Sequence, residues 1–575
     1  MNPNKLFIVV AAGALLAACE SGDINIAPVN NTDNSIGDNN NIGGGGSGSN
    51  DGCASIDVGG TTVTGIKDAL GNCEYDDQFA SPTNKITQDI TFAALPGGAA
   101  HKFRTSLFIG ETYNTQADLA AAGITQGGDG PTLTIEAGAV LAFETKRDFI
   151  IINRGSRIIA DGTPRSPITF TSISDVEGTL PTTPTDPTGA RAVQQWGGIV
   201  INGFAVSNKC SYDGNRGEPG FQLTPGTECS IEAEGSEGDD ESQYGGDNDA
   251  DSSGILRHVI VKHTGAQVAN GDELNGISFG GVGSGTVIEN LQVYSTYDDG
   301  IEFFGGSANV TNFLALNVRD DSIDIDEGYN GTITNALVIQ QADDGDHCIE
   351  ADGIGSYSSF PDDAAGTAAK QALIAAGLNS RPTINRLTCI ISANADGTHS
   401  DGAGWRFREG IWATVRNSQI ISTFAADAAG GSDNYCLRID NSETQDAAAS
   451  GDMSITGSVF SCQTPAKGNA IGGFADEQAW AESLGNQFAT VAAGTAKNPT
   501  VQVDTDLALL AGSQPVFSLD VGNTLVDGAV PTAAPVDDGN GTPGYFGGIQ
   551  EADDWTFPWA YGINPSNRGE PLWFE

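Results

Sequence analysis

The sequence predicts an all-β solenoid, in which short strands stack as successive layers of one coil. Between residues 131 and 470, short strands rich in β-branched residues recur roughly every 20–25 residues. Glycine, asparagine and aspartate turns separate them, and three acidic segments repeat one pattern. Strands this short and this evenly spaced are typical of a repeat architecture and not of a helical or βαβ protein.

The predicted strands are 132–135, 149–152, 168–171, 198–201, 256–261, 287–291, 336–339 and 419–421. Irregular insertions interrupt them. Residues 208–253 form a glycine- and acid-rich excursion that we expect a Cys210–Cys229 disulfide to close, and 361–377 is expected to hold a short capped helix. The chain from 474 to 493 is also expected to be helical.

Three acidic segments set the register of the coil. They are DDGIEFF at 298–304, DDSIDID at 320–326 and DHCIEAD at 346–352. Because side chains alternate along a strand, stacking these segments puts Ile301, Ile323 and Ile349 inside the coil. The same stacking forms two outward acidic columns, Asp298/Asp320/Asp346 and Glu302/Asp324/Glu350. A fourth layer at 405–408 places Arg406 in the second column and Arg408 beside Asp326 and Asp352.

The first residues predict an exported lipoprotein. Lys5 precedes an apolar run, 6–18, that is too short to span a bilayer and is typical of a signal peptide. The run ends in Leu16-Ala17-Ala18-Cys19, which resembles the bacterial lipobox whose cysteine becomes acylated. Because Glu20 follows instead of an aspartate, we expect Cys19 to anchor the protein by lipid in the outer membrane, on its surface or periplasmic face.

The composition divides the chain into five regions. We expect a signal peptide over 1–18, a disordered Asn- and Gly-rich tether over 19–52, an N-terminal cap over 53–130, the coil over 131–470 and a C-terminal cap region over 471–575. A solenoid needs such caps because its end layers are otherwise open.

Nine cysteines are present, and eight remain once Cys19 carries lipid. An even number in an exported chain predicts four disulfides. The eight are Cys53, Cys73, Cys210, Cys229, Cys348, Cys389, Cys436 and Cys462. Many pairings are possible, and sequential pairing is the simplest because the partners then lie about 20 to 40 residues apart. The sequence has no CxxC pair, so a zinc site is not expected.

Acidic residues dominate the charge, because 74 Asp and Glu face 26 Lys and Arg and the formal net charge is −48. Such a charge argues against nucleic acid or an anionic lipid surface as a partner. It fits a setting rich in divalent cations, although general surface acidity in salt explains part of the excess.

Several glycine- and acid-rich motifs lie along the coil. They are TLTIEAG at 132–138, QWGGIVING at 195–203, LNGISFGGVGSGT at 274–286, DDGIEFFGG at 298–306, GDHCIE at 345–350, and YFGG at 545–548 with Trp555. These motifs resemble a family of large bacterial surface lipoproteins. The resemblance implies a right-handed parallel β-helix with loop insertions, short helices and terminal caps, similar to the pectate-lyase-like superfamily. Some members resemble components of outer-membrane uptake systems, and no activity is carried over.

The acidic columns predict a metal site. Their carboxylates would lie about 4.8 Å apart from layer to layer, the spacing of neighbouring strands. Like charges this close repel unless a cation neutralises them, and Ca²⁺ suits such a site because it takes about six to eight oxygens. The candidate ligands are Asp298, Asp299, Glu302, Asp320, Asp321, Asp324, Asp346 and Glu350. Two alternatives stay open: Arg406 and Arg408 neutralise one end, or the turn aspartates hold backbone N–H groups.

A second calcium candidate is the loop in which Asp247, Asp249 and Asp251 occupy alternate positions. Such spacing can wrap one ion. The following glycine comes two positions late for an EF-hand loop, however, and no downstream glutamate is in register. A solvated acidic loop is the alternative interpretation.

Paired carboxylates beside a histidine also suggest polysaccharide hydrolysis. Asp320, Asp346 and His347 are superficially similar to the acids and histidine of polygalacturonase-like β-helices. The sequence lacks the Gly-His-Gly and Arg-x-Lys elements of those enzymes, and Arg406 is the one nearby base that a lyase would have. We therefore assign no catalytic residue.

The sequence favours an outer-membrane lipoprotein whose β-helix binds a ligand or partner and is stabilised by calcium. The expected partners are a surface glycan or a TonB-dependent receptor of an uptake system. Phe304, Trp405 and Trp555 are candidate sugar contacts, although packing in the core is the commoner fate of such side chains. The alternatives are a polysaccharide hydrolase or lyase, and a structural or adhesive surface protein.

Overall fold

A computed structural model describes residues 52–235, 242–269, 272–341, 344–391, 402–422, 435–462, 464–490, 533–537, 545–549, 554–563, 567–568 and 572. They belong to one unit, Gly44–Glu575. The predicted signal peptide, Cys19 and almost all of the tether lie outside these residues. Within them, no helix combines the length and the apolar character that crossing a bilayer requires.

Short strands make up most of the described chain. The first are β1 Ser55–Val58, β2 Thr61–Thr64, β3 Ile66–Lys67, β4 Cys73–Tyr75, β5 Ile90–Phe92, β6 His101–Phe103, β7 Leu107–Ile109, β8 Thr132–Ile135, β9 Val140–Phe143, β10 Ile150–Ile152, β11 Arg157–Asp161 and β12 Ile168–Ser172. The next are β13 Ile199–Asn202, β14 Tyr212–Asp213, β15 Gln222–Leu223, β16 Ile231–Glu232, β17 Gln243–Tyr244, β18 Gly254–Lys262, β19 Ala266–Ala269, β20 Asp272–Leu274, β21 Ile277–Gly280, β22 Val287–Tyr294, β23 Ile301–Phe304 and β24 Asn309–Leu316. The last are β25 Ile323–Asp326, β26 Thr332–Ile339, β27 His347–Asp352, β28 Thr383–Ile391, β29 Ala403–Arg408, β30 Thr414–Arg416, β31 Gln419–Ser422, β32 Tyr435–Ile439, β33 Ser454–Thr456, β34 Val459–Cys462, β35 Thr464–Ala466 and β36 Gln487–Thr490.

Two large sheets contain most of these strands. A ten-stranded sheet has the order β35-β32-β29-β27-β25-β23-β21-β13-β10-β7, and every pair in it is parallel. An eighteen-stranded sheet carries the strands that alternate with these along the chain, such as β22, β24, β26 and β28. The chain therefore passes from one sheet to the other and back in each layer, which is the parallel β-helix that the sequence predicts.

The parallel coil begins earlier and ends later than the predicted boundaries. The first parallel pair joins Cys73 to His101, inside the region assigned to a cap, and the antiparallel hairpin of β1 and β2 precedes it. At the other end β36 pairs in parallel with β34. The helix expected over 474–493 is confirmed over Glu477–Ser483 and is wrong over Gln487–Thr490, which form this last strand.

Five α-helices lie among the described residues. They are α1 Gln116–Ala122, α2 Ile173–Val176, α3 Ala364–Ala375, α4 Ser442–Ser450 and α5 Glu477–Ser483, with 3₁₀ turns at Pro96–Gly98 and Tyr357–Ser359. Helix α3 confirms the capped helix predicted at 361–377. The Asp363 carboxylate accepts from the N–H groups of Ala365 and Gly366, which have no partner within the helix.

The interior is filled by columns of apolar side chains. Ile301, Ile323, Ile349, Trp405 and Leu437 stack in successive layers, and each is 0% exposed. The predicted sugar contact by Trp405 is therefore wrong, because its ring lies in the core. Each such side chain contributes roughly 1.5–3 kcal/mol on burial.

An asparagine ladder bends the long strands of the eighteen-stranded sheet at one level. Asn290, Asn312 and Asn335 have φ angles of 54°, 61° and 57°. Asparagine tolerates this left-handed region better than most residues. Asn312 Nδ2 donates to Asn290 Oδ1 and Asn335 Nδ2 donates to Asn312 Oδ1, each at 3.0 Å. The ladder keeps the bend, and with it the register, constant from layer to layer.

Four disulfides confirm the sequential pairing expected from the sequence. They are Cys53–Cys73, Cys210–Cys229, Cys348–Cys389 and Cys436–Cys462. The last two join the two large sheets across the core, and the second closes a loop in the insertion 208–253, as predicted.

The C-terminal region packs on the outside of the eighteen-stranded sheet. Ile549, Trp559 and Ile563 cover outward apolar residues, among them Tyr294 and Leu316. Trp559 is 2% exposed. This part of 471–575 therefore shields the flank of the coil.

Candidate metal centre

Strands β23, β25, β27 and β29 carry an outward column of charged side chains. The register pairs Glu302 with Asp324, Asp324 with Glu350, and Glu350 with Arg406. This confirms the predicted register. Since neighbouring strands lie about 4.8 Å apart, three carboxylates stack directly above one another on the surface of the sheet.

The turns before these strands carry a column that the backbone holds in place. Asn275 Oδ1 accepts from the Asp299 N–H at 3.2 Å, and Asp299 Oδ1 accepts from the Asp321 N–H at 3.0 Å. Asp321 Oδ1 then accepts from the His347 N–H at 2.7 Å. Each side chain ties its layer to the next, so the structural alternative for turn aspartates applies to one oxygen of Asp299 and of Asp321.

The two sets of acids meet in one cluster, which we call the carboxylate network. Among the described residues, five overlapping groups of three side chains have ligand atoms within 4.8 Å of one another. The groups are Asp321/Asp346/His347, Glu273/Asp298/Asp320, Asp299/Asp320/Asp321, Asp299/Glu302/Asp324 and Asp321/Asp324/Glu350. All eight ligands predicted for the columns are members, and Glu273 and His347 join them.

The network is largely buried. Asp298, Asp299, Glu302 and Asp321 are 5–8% exposed. Burial raises the pKa of each well above its usual value, and repulsion from neighbouring carboxylates raises it further. The pKa of Asp324 is raised in the same direction by the same two causes. Without a cation, the network therefore binds protons more tightly than exposed carboxyl groups do.

Protein cations lie at the edge of the network. Arg406 Nη1 is 2.9 Å from Glu350 Oε1, and Arg408 Nη2 is 3.1 Å from Glu350 Oε2. Arg408 also pairs with Asp352. The predicted neutralisation by both arginines is thus confirmed for this layer.

The layers further from these arginines have no such partner. Within the described part of the chain, no lysine or arginine forms an ion pair with Asp298, Asp299, Glu302 or Asp324. Burial favours a lower pKa for Lys209, but the Glu327 charge, and after it the Glu302 charge, raise this pKa. Lys209 pairs with Glu327 instead of a network acid. The centre of the network therefore keeps an excess of negative charge.

Lys209 and Glu327 fix the insertion beside the network. Glu327 is 0% exposed, and its Oε2 accepts from Ser207 Oγ at 2.7 Å and from Tyr244 OH at 2.8 Å. Burial, and then the Glu327 charge, raise the pKa of Tyr244 well above its usual value. These bonds hold both ends of the 208–253 excursion against the acidic face of the sheet.

His347 is enclosed by acids. Its Nδ1 lies 2.9 Å from Asp321 Oδ1 and 3.1 Å from Asp346 Oδ1. Its Nε2 lies 2.8 Å from Tyr435 OH. Burial lowers the pKa of His347 although the neighbouring carboxylates oppose this.

The donor chemistry of the network fits a hard divalent cation. Carboxylate oxygens are the ligands preferred by Ca²⁺, whose flexible geometry takes about six to eight of them. A zinc site would require more nitrogen or sulfur donors than His347 provides. The residues that would hold calcium are those of the uncompensated centre, above all Asp299, Glu302 and Asp324.

The comparison with known proteins concerns the same layers. Residues 104–500, more than half of the chain, match the family described as pectate-lyase like beta helix domain. The chain belongs to this family. Searches of curated proteins and of solved structures each found no match.

The second predicted calcium loop of this pectate-lyase-like β-helix is not formed. Asp249 binds the Arg216 guanidinium through both oxygens at 2.7 Å. Asp251 accepts from the N–H of Gly127 at 2.7 Å, and Asp247 accepts from the N–H of Leu223 at 2.9 Å. The three carboxylates form no common ligand group among the described residues. They hold the insertion to the coil instead.

Several residues of the site were missed from the sequence. Asp326 and Asp352 were placed beside Arg408 but not considered with the acids of the site, although they lie on the same outward face as Asp324 and Glu350, two positions along each strand. Burial raises the pKa of both, with neighbouring carboxylates contributing. Glu273 lies on the hairpin of β19 and β20, outside the repeat, and no periodic signal points to it.

The two remaining aromatic candidates differ in position. Phe304 lies in the layer of Glu302, is partly exposed, and has its ring 6.1 Å from that of Tyr244. Trp555 packs with the C-terminal segment, where its Nε1 donates to the Gly548 carbonyl at 2.7 Å. Phe304 is therefore the aromatic placed to contact a ligand at the network.

Proposed function

We propose that this protein binds calcium in the carboxylate network and uses the bound ions to hold an acidic glycan at the bacterial surface. The observation that carries the proposal is the set of overlapping carboxylate groups whose centre has no lysine or arginine partner among the described residues. Nine carboxylates this close need counter-charge, and oxygen donors favour calcium.

An acidic glycan suits such a site because calcium accepts more oxygens than one face of a sheet supplies. Asp320, Asp324, Asp346 and Glu350 are partly exposed, so one side of the network faces solvent. Carboxylate and hydroxyl oxygens of a uronic-acid chain would complete the coordination there. The strong negative charge of the protein makes direct binding of such a chain unfavourable, so binding should require the cation.

Calorimetric titration of EDTA-treated protein with CaCl₂ tests whether the carboxylate network binds calcium. We expect saturable binding that Asp299→Asn weakens, because asparagine keeps the acceptor for the Asp321 N–H but removes the charge. Glu289→Gln is the matched control, since Glu289 lies on the other sheet and pairs with Arg257. Absence of calcium binding by the wild type would overturn the proposal.

Co-sedimentation with polygalacturonate in calcium or EDTA tests whether the bound ions hold an acidic glycan. We expect binding in calcium alone, and none to a neutral polysaccharide. Equal binding in EDTA would contradict a bridging role for the cation.

The location belongs to the same proposal. Acylation of Cys19 would place the coil at the outer membrane, where a glycan or an uptake receptor of the TonB-dependent kind is within reach. Labelling with palmitate should be lost in Cys19→Ala. Retention of label by that variant would contradict lipid attachment at this residue.

A polysaccharide lyase is the second candidate. Arg406 and Arg408 lie beside Glu350, and a chain of hydrogen bonds joins Tyr435 through His347 to Asp321, so basic groups and cation ligands share one face. Ultraviolet absorbance of unsaturated uronate products distinguishes the candidates. Product formation that Arg406→Gln abolishes would favour the lyase, and its absence with calcium-dependent binding intact would favour the binding protein.

A further inference from the structure

A polar cavity lies beside the turn that leads into the carboxylate network. Its volume is about 360 Å³, within the range of small-molecule sites. Arg319, which lines it, directly precedes Asp320 of the network, and Asp344, also in the lining, lies two residues before Asp346. A molecule that fills the cavity therefore lies next to the network.

Two arginines contribute to this cavity in a chain with only 26 basic residues. Arg191 Nη2 donates to the Thr185 carbonyl. Arg319 Nη2 donates to the Arg191 carbonyl at 3.4 Å, and Arg191 Nη1 donates to Gln341 Oε1 at 3.5 Å. These distances are long for a guanidinium, whose bonds to anions measure about 2.7–2.9 Å. Arg319 can therefore form a shorter bond by turning to an anionic ligand, and Arg191 Nη1 lies on the same cavity.

Arg319 also has an N–H group that lacks an acceptor. Its Nε is buried and has no hydrogen-bond acceptor within the described residues. Asp344 Oδ2 lies 3.4 Å away, an ion-pair distance without hydrogen-bond geometry. A buried N–H without an acceptor is costly, so an acceptor supplied by a ligand would relieve the cost.

The carboxylates of the lining are already engaged. Asp186 accepts from the Arg191 N–H at 2.9 Å and from Thr188 Oγ1 at 3.2 Å, and Asp344 accepts from the Gly345 N–H at 3.2 Å. The remaining lining is short and polar or small, with Thr183, Thr185, Ala192 and Gln341 among its residues. Hydroxyl and amide groups of this kind match the hydroxyls of a sugar.

We infer that the cavity of Arg191 and Arg319 is the subsite for the anionic group of one sugar unit, a carboxylate of a uronic acid or a sulfate ester. The inference rests on the proposed function and names its ligand more closely. Guanidinium groups bind both anions with paired N–H donors. The neighbouring sugar units would then run past Asp320 towards the calcium ligands.

Calorimetry with three short probes tests the subsite: trigalacturonate, a sulfated galactan trisaccharide and neutral cellotriose. We expect the full chain in calcium to bind one acidic probe and not cellotriose. Arg319→Gln should weaken that binding about tenfold or more, the loss expected for a hydrogen bond to a charged group. The preferred acidic probe identifies the anion.

Arg257→Gln is the matched control, because Arg257 lies on the other sheet and pairs with Asp161 and Glu289. The calcium isotherm of Arg319→Gln should equal that of the wild type, which shows that the variant is folded and the network intact. Unchanged affinity of this variant for the acidic probe would overturn the subsite while leaving calcium binding in place. Conversely, a wild type that binds the probe in EDTA through Arg319 but binds no calcium would keep the subsite and remove the proposed function.

Discussion

Replacing Asp324 by asparagine should change stability in opposite directions with and without calcium. Asp324 belongs to two of the carboxylate groups, so its ligand atoms lie within 4.8 Å of those of Asp299, Glu302, Asp321 and Glu350. Asparagine has nearly the same shape and no charge. The substitution therefore removes one charge from the centre of the network and little else.

The magnitude follows from the spacing. Two unit charges 4.8 Å apart repel by about 3.5 kcal/mol at an effective dielectric constant of about 20. Four such neighbours would exceed the net stability of most domains, about 5–15 kcal/mol, so the acids cannot all be ionised without a cation. If one neighbour is ionised, Asp324→Asn stabilises the calcium-free protein by about 3 kcal/mol.

With calcium the sign reverses, because asparagine supplies one neutral oxygen where aspartate supplied a charged carboxylate. The stabilisation by saturating ligand grows with the logarithm of concentration over dissociation constant. A weaker dissociation constant therefore lowers the calcium-induced rise in melting temperature.

Thermal unfolding of the wild type and Asp324→Asn, each in EDTA and in calcium, measures both effects. We expect the variant to melt higher than the wild type in EDTA and to gain less from calcium. Glu289→Gln on the other sheet should leave the calcium shift unchanged. A lower melting temperature of Asp324→Asn in EDTA, or a full calcium shift, would refute the reasoning, since a merely structural aspartate would lose stability under both conditions.

Three further predictions concern stability. In EDTA, the melting temperature should fall as pH rises above about 4. Burial, and then neighbouring carboxylates, raise the folded-state pKa of the network acids, so the folded state holds more protons than the unfolded state. Saturating calcium should remove this fall in melting temperature, and a flat pH profile in EDTA would contradict the prediction. Trp559→Ala should lower the unfolding free energy by about 3–5 kcal/mol, measured in denaturant, by uncovering the flank of the coil. Removing Cys348–Cys389, which spans 41 residues, should cost about 4 kcal/mol and more than removing Cys53–Cys73, which spans 20, and the reverse order would contradict the loop-length argument.

The register of the coil could be predicted from the sequence because it is local and periodic. Three segments with the same acid spacing fix which side chains face inward. Once Ile301 is matched to Ile323, the pairing of every other residue in these two strands follows. The pairing of Arg406 with Glu350 followed from that register alone. Sequential disulfides were predictable for a similar reason, since Cys348–Cys389 and Cys436–Cys462 join strands of the coil that lie close together along the chain and the other two close short loops.

The position of Trp405 in the core could have been predicted from the register of the coil. Trp405 lies opposite Ile349, which the same register had placed inside the coil. Alternation therefore already required the indole to be buried. As an aromatic, Trp405 left both a sugar contact and a core position open, and its place in the layer decides for the core.

The loop aspartates could not be interpreted correctly because their partners lie far away in the chain. Asp251 accepts from Gly127, a residue 124 positions earlier, and Asp249 binds Arg216 across the insertion. No pattern within 247–251 distinguishes three ligands for one ion from three separate hydrogen-bond acceptors. Only the three-dimensional path of the insertion decides between them.

The stacking of a β-helix explains why negative charge accumulates in the network. A residue repeated in each layer meets its own copy about 4.8 Å away, so an apolar repeat builds a core and an acidic repeat builds repulsion. The chain can relieve this by changing the residue, as it does where the column passes from Glu350 to Arg406. Between Glu302 and Asp324 it makes no such change, although one arginine in either layer would suffice. This repetition of an acid, where a base would neutralise the charge, supports our proposal that a cation from outside the chain occupies the network, and calcium matches its oxygen donors.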